Sequence, residues 1–236
     1  MLFKKLNAPS LKELFITEIE HMILSGKLEI GAKLPPEREL AESMQVSRAV
    51  VNSGISELEK KGFLVVRPRI GTFVADYRKY GTTETLVSIM HYNGGMLRDK
   101  EIRSTLEVRI IFMNLAATLA IEHATDEEIQ TLEKYLTALK QCSDPEEAAS
   151  LIFSFSHELS FISGNSLLPL FFISFRDLVC SLWSRFAEKY GLEPLVESAA
   201  TIYQYVSARD KEGVTNYITE STQQSIDGCR QIYSPQ

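Results

Sequence analysis

Residues 47–66, SRAVVNSGISELEKKGFLVV, constrain the fold most, because a helical pattern in them passes directly into a short β-branched run. Ser47 is a residue type that caps helix N-termini, and Gly62 is a residue type that ends helices. The apolar positions of this segment fall within one narrow arc of such a helix: Val51, Ile55 and Leu58. The segment therefore predicts a helix from Ser47 to about Lys61, followed at once by a strand.

Two further helices are predicted before this one. In residues 10–25, Ser10 is the expected N-cap and Glu13 completes a capping box. The predicted apolar stripe of this first helix consists of Leu11, Leu14, Phe15, Ile19, Met22 and Ile23. Residues 36–43 predict a short second helix, and FLVV and GTFV are strand-like runs joined by RPRI. The order helix, helix, helix, strand, turn, strand predicts a winged helix-turn-helix over residues 1–78.

Residues 79–236 predict a separate all-α domain, so the whole chain is expected to be mainly α. After the apparent linker YRKYGTTET, helical patterns separated by short breaks follow one another. The seven predicted helices span residues 83–92, 98–123, 126–141, 145–163, 167–190, 193–208 and 210–229. Helices with such short connections predict a helical bundle.

Composition excludes several classes of protein. The longest apolar run noted, LLPLFFISF, is too short to span a membrane, and the N-terminus lacks the apolar region of a signal peptide. Cys142, Cys180 and Cys229 are odd in number and widely spaced, which indicates free thiols and a cytoplasmic protein. Residues 1–78 carry 12 Lys and Arg against 10 Asp and Glu, whereas the rest carries 13 against 21. This mildly basic front is weak support for a nucleic-acid partner.

The side of the third helix opposite its apolar arc indicates a contact surface. That side carries small or polar residues with one arginine at its start: Arg48, Ala49, Asn52, Ser53 and Ser56. A merely solvated face usually carries long charged residues. In a helix-turn-helix, Arg48 can bond guanine and Asn52 adenine, while Ser47 and the helix N-terminal amides suit a phosphate. We therefore predict binding to double-stranded DNA, the alternative being a small helical cap with a solvated face.

Three other arginines extend this prediction. Arg38 lies on the second helix, where either a phosphate contact or an ordinary surface position is expected. Arg67 and Arg69 flank the predicted wing turn, where arginine can enter a minor groove, although exposed arginines in hairpin turns are common.

The segment GAKLPPERELAESMQVSRAVVNSGISELEKKGFLVVRPRIGTFV resembles the N-terminal domain of GntR-type bacterial repressors. The resemblance spans about residues 10–75 and implies that Arg38, Ser47, Arg48, Asn52 and the wing tip contact DNA. Two positions depart from the family pattern. Pro36 stands where a small capping residue is usual, and Arg69 stands where the wing turn usually has glycine.

The second half resembles the FadR-type (FCD) effector domain of the same family. The matching segments are LEVR (106–109), LAATLA (115–120) followed by HATDEEI, HELSFISGN (157–165), and Asp210. The resemblance implies a helical bundle with a central pocket, a homodimer, and an effector that changes operator affinity.

Many domains of this type resemble metalloproteins that use one Asp and three His. This chain has four histidines and none after His157. The matching positions are close to Ala199 and Ser221, and Phe153 stands where the Asp is expected. We therefore expect no metal and no cofactor.

Arg109 lies on an otherwise apolar helix, and a buried arginine requires an anionic partner. That partner is either a structural salt bridge, with Glu158 or Asp177 as candidates, or a small anionic effector, which the resemblance favours. The abundant aromatic residues suit an apolar or amphipathic anion. The expected effector is a small carboxylate or an acyl-type anion. His157 is expected either in the core or as a lone polar group in the pocket.

The predicted function is a ligand-responsive transcriptional regulator that binds palindromic operator DNA as a homodimer. The family resemblance suggests a repressor, and the residues alone leave repression or activation open. The sequence contains none of the GxSxG, Walker or HExxH motifs, so we do not expect an enzyme. The alternative is a helical scaffold or small-molecule-binding protein without DNA binding.

Overall fold

The computed structural model describes residues 9–92 and 99–233, and its contacts divide the chain into two compact units, Met1–Gly95 and Met96–Gln236. The first unit contains α1 (Leu11–Leu24), α2 (Glu37–Ser43), α3 (Arg48–Lys60), β1 (Leu64–Arg67), β2 (Gly71–Val74), α4 (Tyr77–Tyr80) and α5 (Thr83–Tyr92). By contacts, α5 thus belongs with the first unit, whereas the sequence analysis assigns the residues from 79 onward to the second domain. The short α4 lies where a linker was expected.

Helix α1 begins with the predicted capping box. The Ser10 hydroxyl accepts from the Glu13 N–H at 3.2 Å, and the Ser10 N–H donates to the Glu13 carboxylate at 2.7 Å. The predicted apolar stripe is wrong at two positions, because Leu11 and Leu14 are 56% and 51% exposed. The face that packs on α3 is rotated toward Ile16, which the stripe did not include and which is buried.

Helix α3 packs as its sequence predicts. The Ser47 hydroxyl caps it by accepting from the Val50 N–H at 3.3 Å. Val51, Ile55 and Leu58 are buried against α1 and α2. Gly54 lies against the ring of Phe15 so closely that a Cβ at this position would overlap it. The glycine therefore permits the close approach of α1 and α3.

Strands β1 and β2 form an antiparallel hairpin whose register pairs Leu64 with Val74 and Arg67 with Gly71. The segment before α2 lies along the other edge of β2. There the Leu34 N–H donates to the Thr72 carbonyl, and the Val74 N–H donates to the Ala32 carbonyl, both at 2.9 Å. Strand β2 is therefore bonded along both of its edges, in a hairpin that corresponds to the wing of a winged helix-turn-helix.

The described part of the second unit is entirely helical. Its elements are α6 (Asp99–His123), α7 (Asp126–Gln130), α8 (Glu133–Gln141), α9 (Pro145–Ile162), α10 (Leu168–Ser174), α11 (Arg176–Tyr190), α12 (Glu193–Ser207) and α13 (Lys211–Ile226). These elements, together with the wing hairpin, confirm the predicted fold class. The three cysteines are free, as expected.

Two predicted helices are each broken in two. At both breaks, 131–132 and Phe175, backbone N–H groups bond to carbonyls three residues back instead of four: Thr131 to Glu128, Leu132 to Ile129 and Phe175 to Phe172. Such tighter turns change the direction of the chain without a glycine or a proline at the break, so the sequence pattern does not show them.

Within the residues described, α6 is the one helix long and apolar enough by composition to cross a membrane. Its most apolar 18-residue segment has a mean hydropathy of 1.4, and 33% of that segment is buried. A core helix of a water-soluble protein passes the same test. The segment is longer than LLPLFFISF, the apolar run on which the sequence analysis based its expectation. Its outward side carries Val108, Ile111 and Leu115, all exposed.

Candidate nucleic-acid interface and effector cavity

The outer face of α3 is defined by Arg48, Ala49, Asn52, Ser53 and Ser56, and all five residues are exposed. They lie opposite the buried arc, so the helix presents its N-terminal side chains to solvent on a surface without bulky groups. The arrangement leaves a guanidinium and a carboxamide free for hydrogen bonds to an external partner.

Arg38 on α2 and Ser47, the N-cap of α3, are also exposed. The Arg38 guanidinium is exposed and bonds the Glu42 carboxylate at 2.9 Å within α2. An exposed pair of this spacing contributes only about 0.3–0.5 kcal/mol, so a phosphate can replace Glu42 at little cost. The Ser47 oxygen accepts from the Val50 N–H, which leaves its O–H proton available to a further acceptor.

Arg67 precedes the wing turn, residues 68–70, and Arg69 lies within it; the structure restrains the side chain of the first and strains the backbone of the second. Arg67, at the end of β1, is stacked over the Phe73 ring at 4.9 Å, which restrains its side chain. Arg69 has a positive φ of 65°, a left-handed backbone that costs energy for any residue but glycine. Both side chains are exposed.

The second unit contains a cavity between α6, α9, α11, α12 and α13 that is partly open to solvent, with an empty space of about 560 Å³ when the solvent at its mouth is included. Its apolar walls include Phe155, Trp183 and Phe186. Its polar lining has two guanidinium groups and six hydroxyl groups, from Arg109, Arg230, Ser156, Ser198, Tyr217, Ser221, Thr222 and Ser225. None of the residues that line it is acidic.

Arg109 is the charged residue of the cavity that α6 contributes. Its guanidinium donates to the Thr222 hydroxyl and lies 4.8 Å from the Trp183 ring centroid, face-on to the indole. Although part of the residue is exposed, the guanidinium itself is desolvated, and this burial lowers the pKa of Arg109 to about 10. The site thus holds a cation whose charge the surrounding residues do not neutralise.

The structural salt bridge considered for Arg109 is not formed. Glu158 accepts from the Tyr135 hydroxyl at 2.9 Å and pairs with Lys134, while Asp177 is 86% exposed beside Arg176. Within the described part of the chain, Arg109 has a hydroxyl and an aromatic face as partners and no carboxylate.

His157 is not among the residues that line the cavity. Its imidazole stacks on Phe153 one turn earlier on α9, at 5.8 Å between ring centroids. The structure therefore places Arg109 and His157, which the sequence analysis grouped as effector-binding residues, in different surroundings. His157 is half-buried against an aromatic ring.

The metal site common in similar domains does not fit these residues. Ala199 and Ser221 line the cavity at positions where histidines were sought, and Phe153 is buried in the aromatic stack. Residues 9–92 and 99–233 contain no cluster of three or more His, Cys, Asp or Glu suited to a metal ion.

Thr222 and Arg230 line the cavity, and neither was predicted from the sequence. Both are ordinary polar residues near the C-terminus, more than 100 positions from Arg109, and no local pattern links them to it. Trp183 was expected only as one of many nearby aromatic residues.

A winged helix-turn-helix carried on the same chain as a helical domain with a solvent-open cavity defines a class, the one-component transcriptional regulators. The family model for bacterial regulatory proteins of the gntR family matches residues 13–74, and the FCD domain model matches residues 104–223, just over half of the chain. The chain therefore belongs to the GntR family, in its FCD-containing branch, and is a transcriptional regulator of that type.

Individual relatives agree with this assignment. LutR, a transcriptional regulator of Bacillus subtilis, is 26% identical over 195 residues, 79% of this chain and 86% of LutR. NanR, a transcriptional repressor of Escherichia coli, is 28% identical over 71% of this chain and 63% of its own length. Other relatives match over only 56% of their length. The structure of Lar, described as controlling the agr system of Listeria monocytogenes, has the same fold, with 16% identity, a TM-score of 0.62 and coverage of 93% and 96%.

Proposed function

We propose that this regulator binds palindromic operator DNA as a homodimer in the cytoplasm and acts as a repressor. Binding of a small anion in the cavity changes its affinity for the operator. The observation that carries the proposal is the outer face of α3, which is exposed, consists of small or polar side chains, and begins with Arg48. NanR, named a repressor, supports the direction of regulation.

In this proposal, the residues at the start of α3 contact base edges in the major groove. Arg48 bonds a guanine and Asn52 an adenine, each through two hydrogen bonds. Ser47 and Arg38 contact phosphates, which fix the position of α3. Arg67 and Arg69 follow the wing into the adjacent minor groove.

The homodimer is proposed to form through the second unit. Val108, Ile111 and Leu115 make an exposed apolar stripe on α6, and Leu170 and Phe171 on α10 are also exposed. Phe112 joins the two helices by its contact with the Phe171 ring at 5.5 Å. A two-fold axis through this apolar surface would cover it with its own copy and supply two recognition helices for two half-sites.

The effector is proposed to be a small carboxylate or acyl-type anion, bound without a metal. Arg109 is its charge anchor because a carboxylate would supply the counter-charge that the cavity lacks. His157 does not line the cavity, so we do not propose that it contacts the anion directly. Its proposed role is to stabilise α9 by stacking on Phe153. The anion shifts the DNA-binding equilibrium only by its different affinity for the two states.

The experiment that tests DNA binding measures affinity for a duplex selected by the wild-type protein from a randomised library, across a salt series. Arg48→Ala should cost about 1–3 kcal/mol and relax the preference at one base position. Arg38→Ala should weaken binding to all sequences equally and reduce the salt slope by about one. Lys60→Ala, in the last turn of α3, is the matched control for loss of a positive charge and should change little.

Equal operator affinity of Arg48→Ala and wild type would show that α3 is not the recognition helix. A monomer of the full chain at micromolar concentration in sedimentation would contradict the dimer. Ile111→Glu should produce that monomer, whereas Lys140→Glu, at an exposed position of α8, should not. Loss of stability together with loss of a stoichiometric metal on adding EDTA would contradict the metal-free site.

A further inference from the structure

The cavity has a second cation, Arg230, which no reasoning about the bundle helices anticipates. Arg230 follows α13 in the C-terminal segment, residues 227–232, and this segment is tied to the unit. The Arg230 N–H donates to the Gln224 carbonyl at 3.1 Å, and the Gln231 carbonyl accepts from the Lys189 ammonium at 2.8 Å and the Tyr190 hydroxyl at 2.6 Å. Ile232 is buried beyond it. The backbone of Arg230 is therefore held in place beside the cavity.

The two guanidiniums differ in depth. Arg109 is desolvated between Trp183 and Thr222, whereas Arg230 is exposed. Neither has an ion pair with a carboxylate in the described ranges, and no acidic residue lines the cavity. Two arginines therefore line one cavity that has no acidic lining residue, which favours a doubly charged ligand over a singly charged one.

We propose that the cavity selects a small dicarboxylate, with one carboxylate on Arg109 and Thr222 and the other on Arg230. This inference rests on the proposed effector function and names the class of effector. Thr222 accepts from Arg109, so its own O–H proton is free to donate to the inner carboxylate. The hydroxyls of Ser198, Tyr217 and Ser225 line the same space and can donate to the remaining carboxylate oxygens.

Binding of a dicarboxylate would connect three parts of the second unit. Arg109 belongs to α6, Thr222 to α13 and Arg230 to the C-terminal segment. A monocarboxylate satisfies only the first two. The outer carboxylate therefore adds both affinity and a tie on the C-terminal segment.

Trp183 provides the measurement, because it is the single tryptophan of the chain and lies against Arg109. The full-length protein is titrated at constant ionic strength with succinate and butyrate, which have four carbons each, and with the homologous pairs from malonate to adipate. One or more dicarboxylates should change the fluorescence with a Kd about tenfold or more below that of the matched monocarboxylate, as expected for one added charge-assisted contact.

The variants separate this inference from the proposed function. Arg230→Gln should bring the Kd ratio of dicarboxylate to monocarboxylate close to one. Arg109→Gln should weaken both ligands. Lys140→Gln, an exposed lysine of α8, removes the same charge elsewhere and should leave the ratio unchanged.

A preference that survives in Arg230→Gln, or the absence of any preference for dicarboxylates in the wild type, would overturn the inference. If Arg230→Gln retains the preference while Arg109→Gln loses all binding, the proposed anion effector stands and only the second contact is wrong. If Arg109→Gln binds both ligands as wild type does, the proposed effector site itself is wrong.

Discussion

Arg69 in the wing and Arg109 in the cavity are both costly to the fold, and the costs have different physical origins. Arg69 is solvated, and its cost lies in a left-handed backbone, φ 65°, that suits glycine. Arg109 has an ordinary helical backbone within α6, and its cost lies in a charged group removed from water without a carboxylate.

An external partner would reach the two arginines by different routes. A DNA phosphate or base can approach Arg69 from solvent, so exposure of its side chain is sufficient for contact. Arg109 needs a ligand that enters the cavity and supplies a charge. In both cases the residue is unfavourable for stability in the free protein, so replacing it should separate stability from function.

Truncation of one large core residue in each unit should produce the largest effects. Phe15→Ala should lower the free energy of unfolding of the first unit by about 3–5 kcal/mol, because Phe15 is 2% exposed beneath α3. Phe155→Ala should cost the second unit less, since Phe155 borders a cavity already open to solvent and water can fill the new space. Urea titrations followed by circular dichroism and by Trp183 fluorescence compare them. Equal costs would contradict the expectation that water fills the space left by Phe155.

Arg109→Met should stabilise the ligand-free second unit by about 1–3 kcal/mol while abolishing anion binding, because an apolar chain replaces an unneutralised charge. The pKa of about 10 lies below the ordinary value of arginine. Folding therefore disfavours the protonated form, and the cost is fully present below pH 10 and disappears as the pH rises above 10 toward the ordinary pKa of arginine. Urea unfolding at pH 7 checks the sign. Arg103→Met on the same helix removes exposed ion pairs to Glu107 and Asp227 and should instead destabilise slightly.

Gly54→Ala should destabilise the first unit, although alanine is the better helix former. The gain in helix propensity is about 1 kcal/mol, but the added methyl overlaps the Phe15 ring and overpacking costs about 1–3 kcal/mol. A net loss of up to about 2 kcal/mol is expected. Thermal unfolding measures it, and the double change with Phe15→Leu should recover part of the loss. A more stable Gly54→Ala would mean that α1 and α3 separate easily.

Arg69→Gly should have the smallest effect on stability and the opposite sign, a gain of about 0.5–1 kcal/mol, because glycine removes the left-handed strain. Operator affinity should fall if the side chain enters the minor groove. Arg67→Gly is the matched control, since Arg67 lies in β1, and it should lose both stability and affinity. A stabilised Arg69→Gly with unchanged affinity would remove Arg69 from the DNA interface.

The first unit was predictable in detail because its signals are local. The Ser10 capping box, the Ser47 cap and the buried arc of α3 each involve residues within a few turns of one another, and all three are present. The exposure of Arg48 and Asn52 follows from the same helical periodicity. Leu11 and Leu14 were wrongly assigned to the core, because periodicity gives a stripe and only the position of α3 decides which edge of it is covered.

The sequence by itself determined the winged helix-turn-helix, the helical character of the second unit and the presence of an arginine that needs an anion. Tertiary structure decided the rest. Two helices predicted as continuous are each divided in two, and His157 lies outside the cavity lining. Arg209, in the turn before α13, caps α6: its guanidinium bonds the Ile121 carbonyl at 2.9 Å and the Asp126 carboxylate at 2.6 Å. These contacts join residues 88 and 83 positions apart, and the cavity is lined by both Arg109 and Arg230. Helical spacing encodes which face of one helix is apolar, but packing between distant helices decides which polar residues meet.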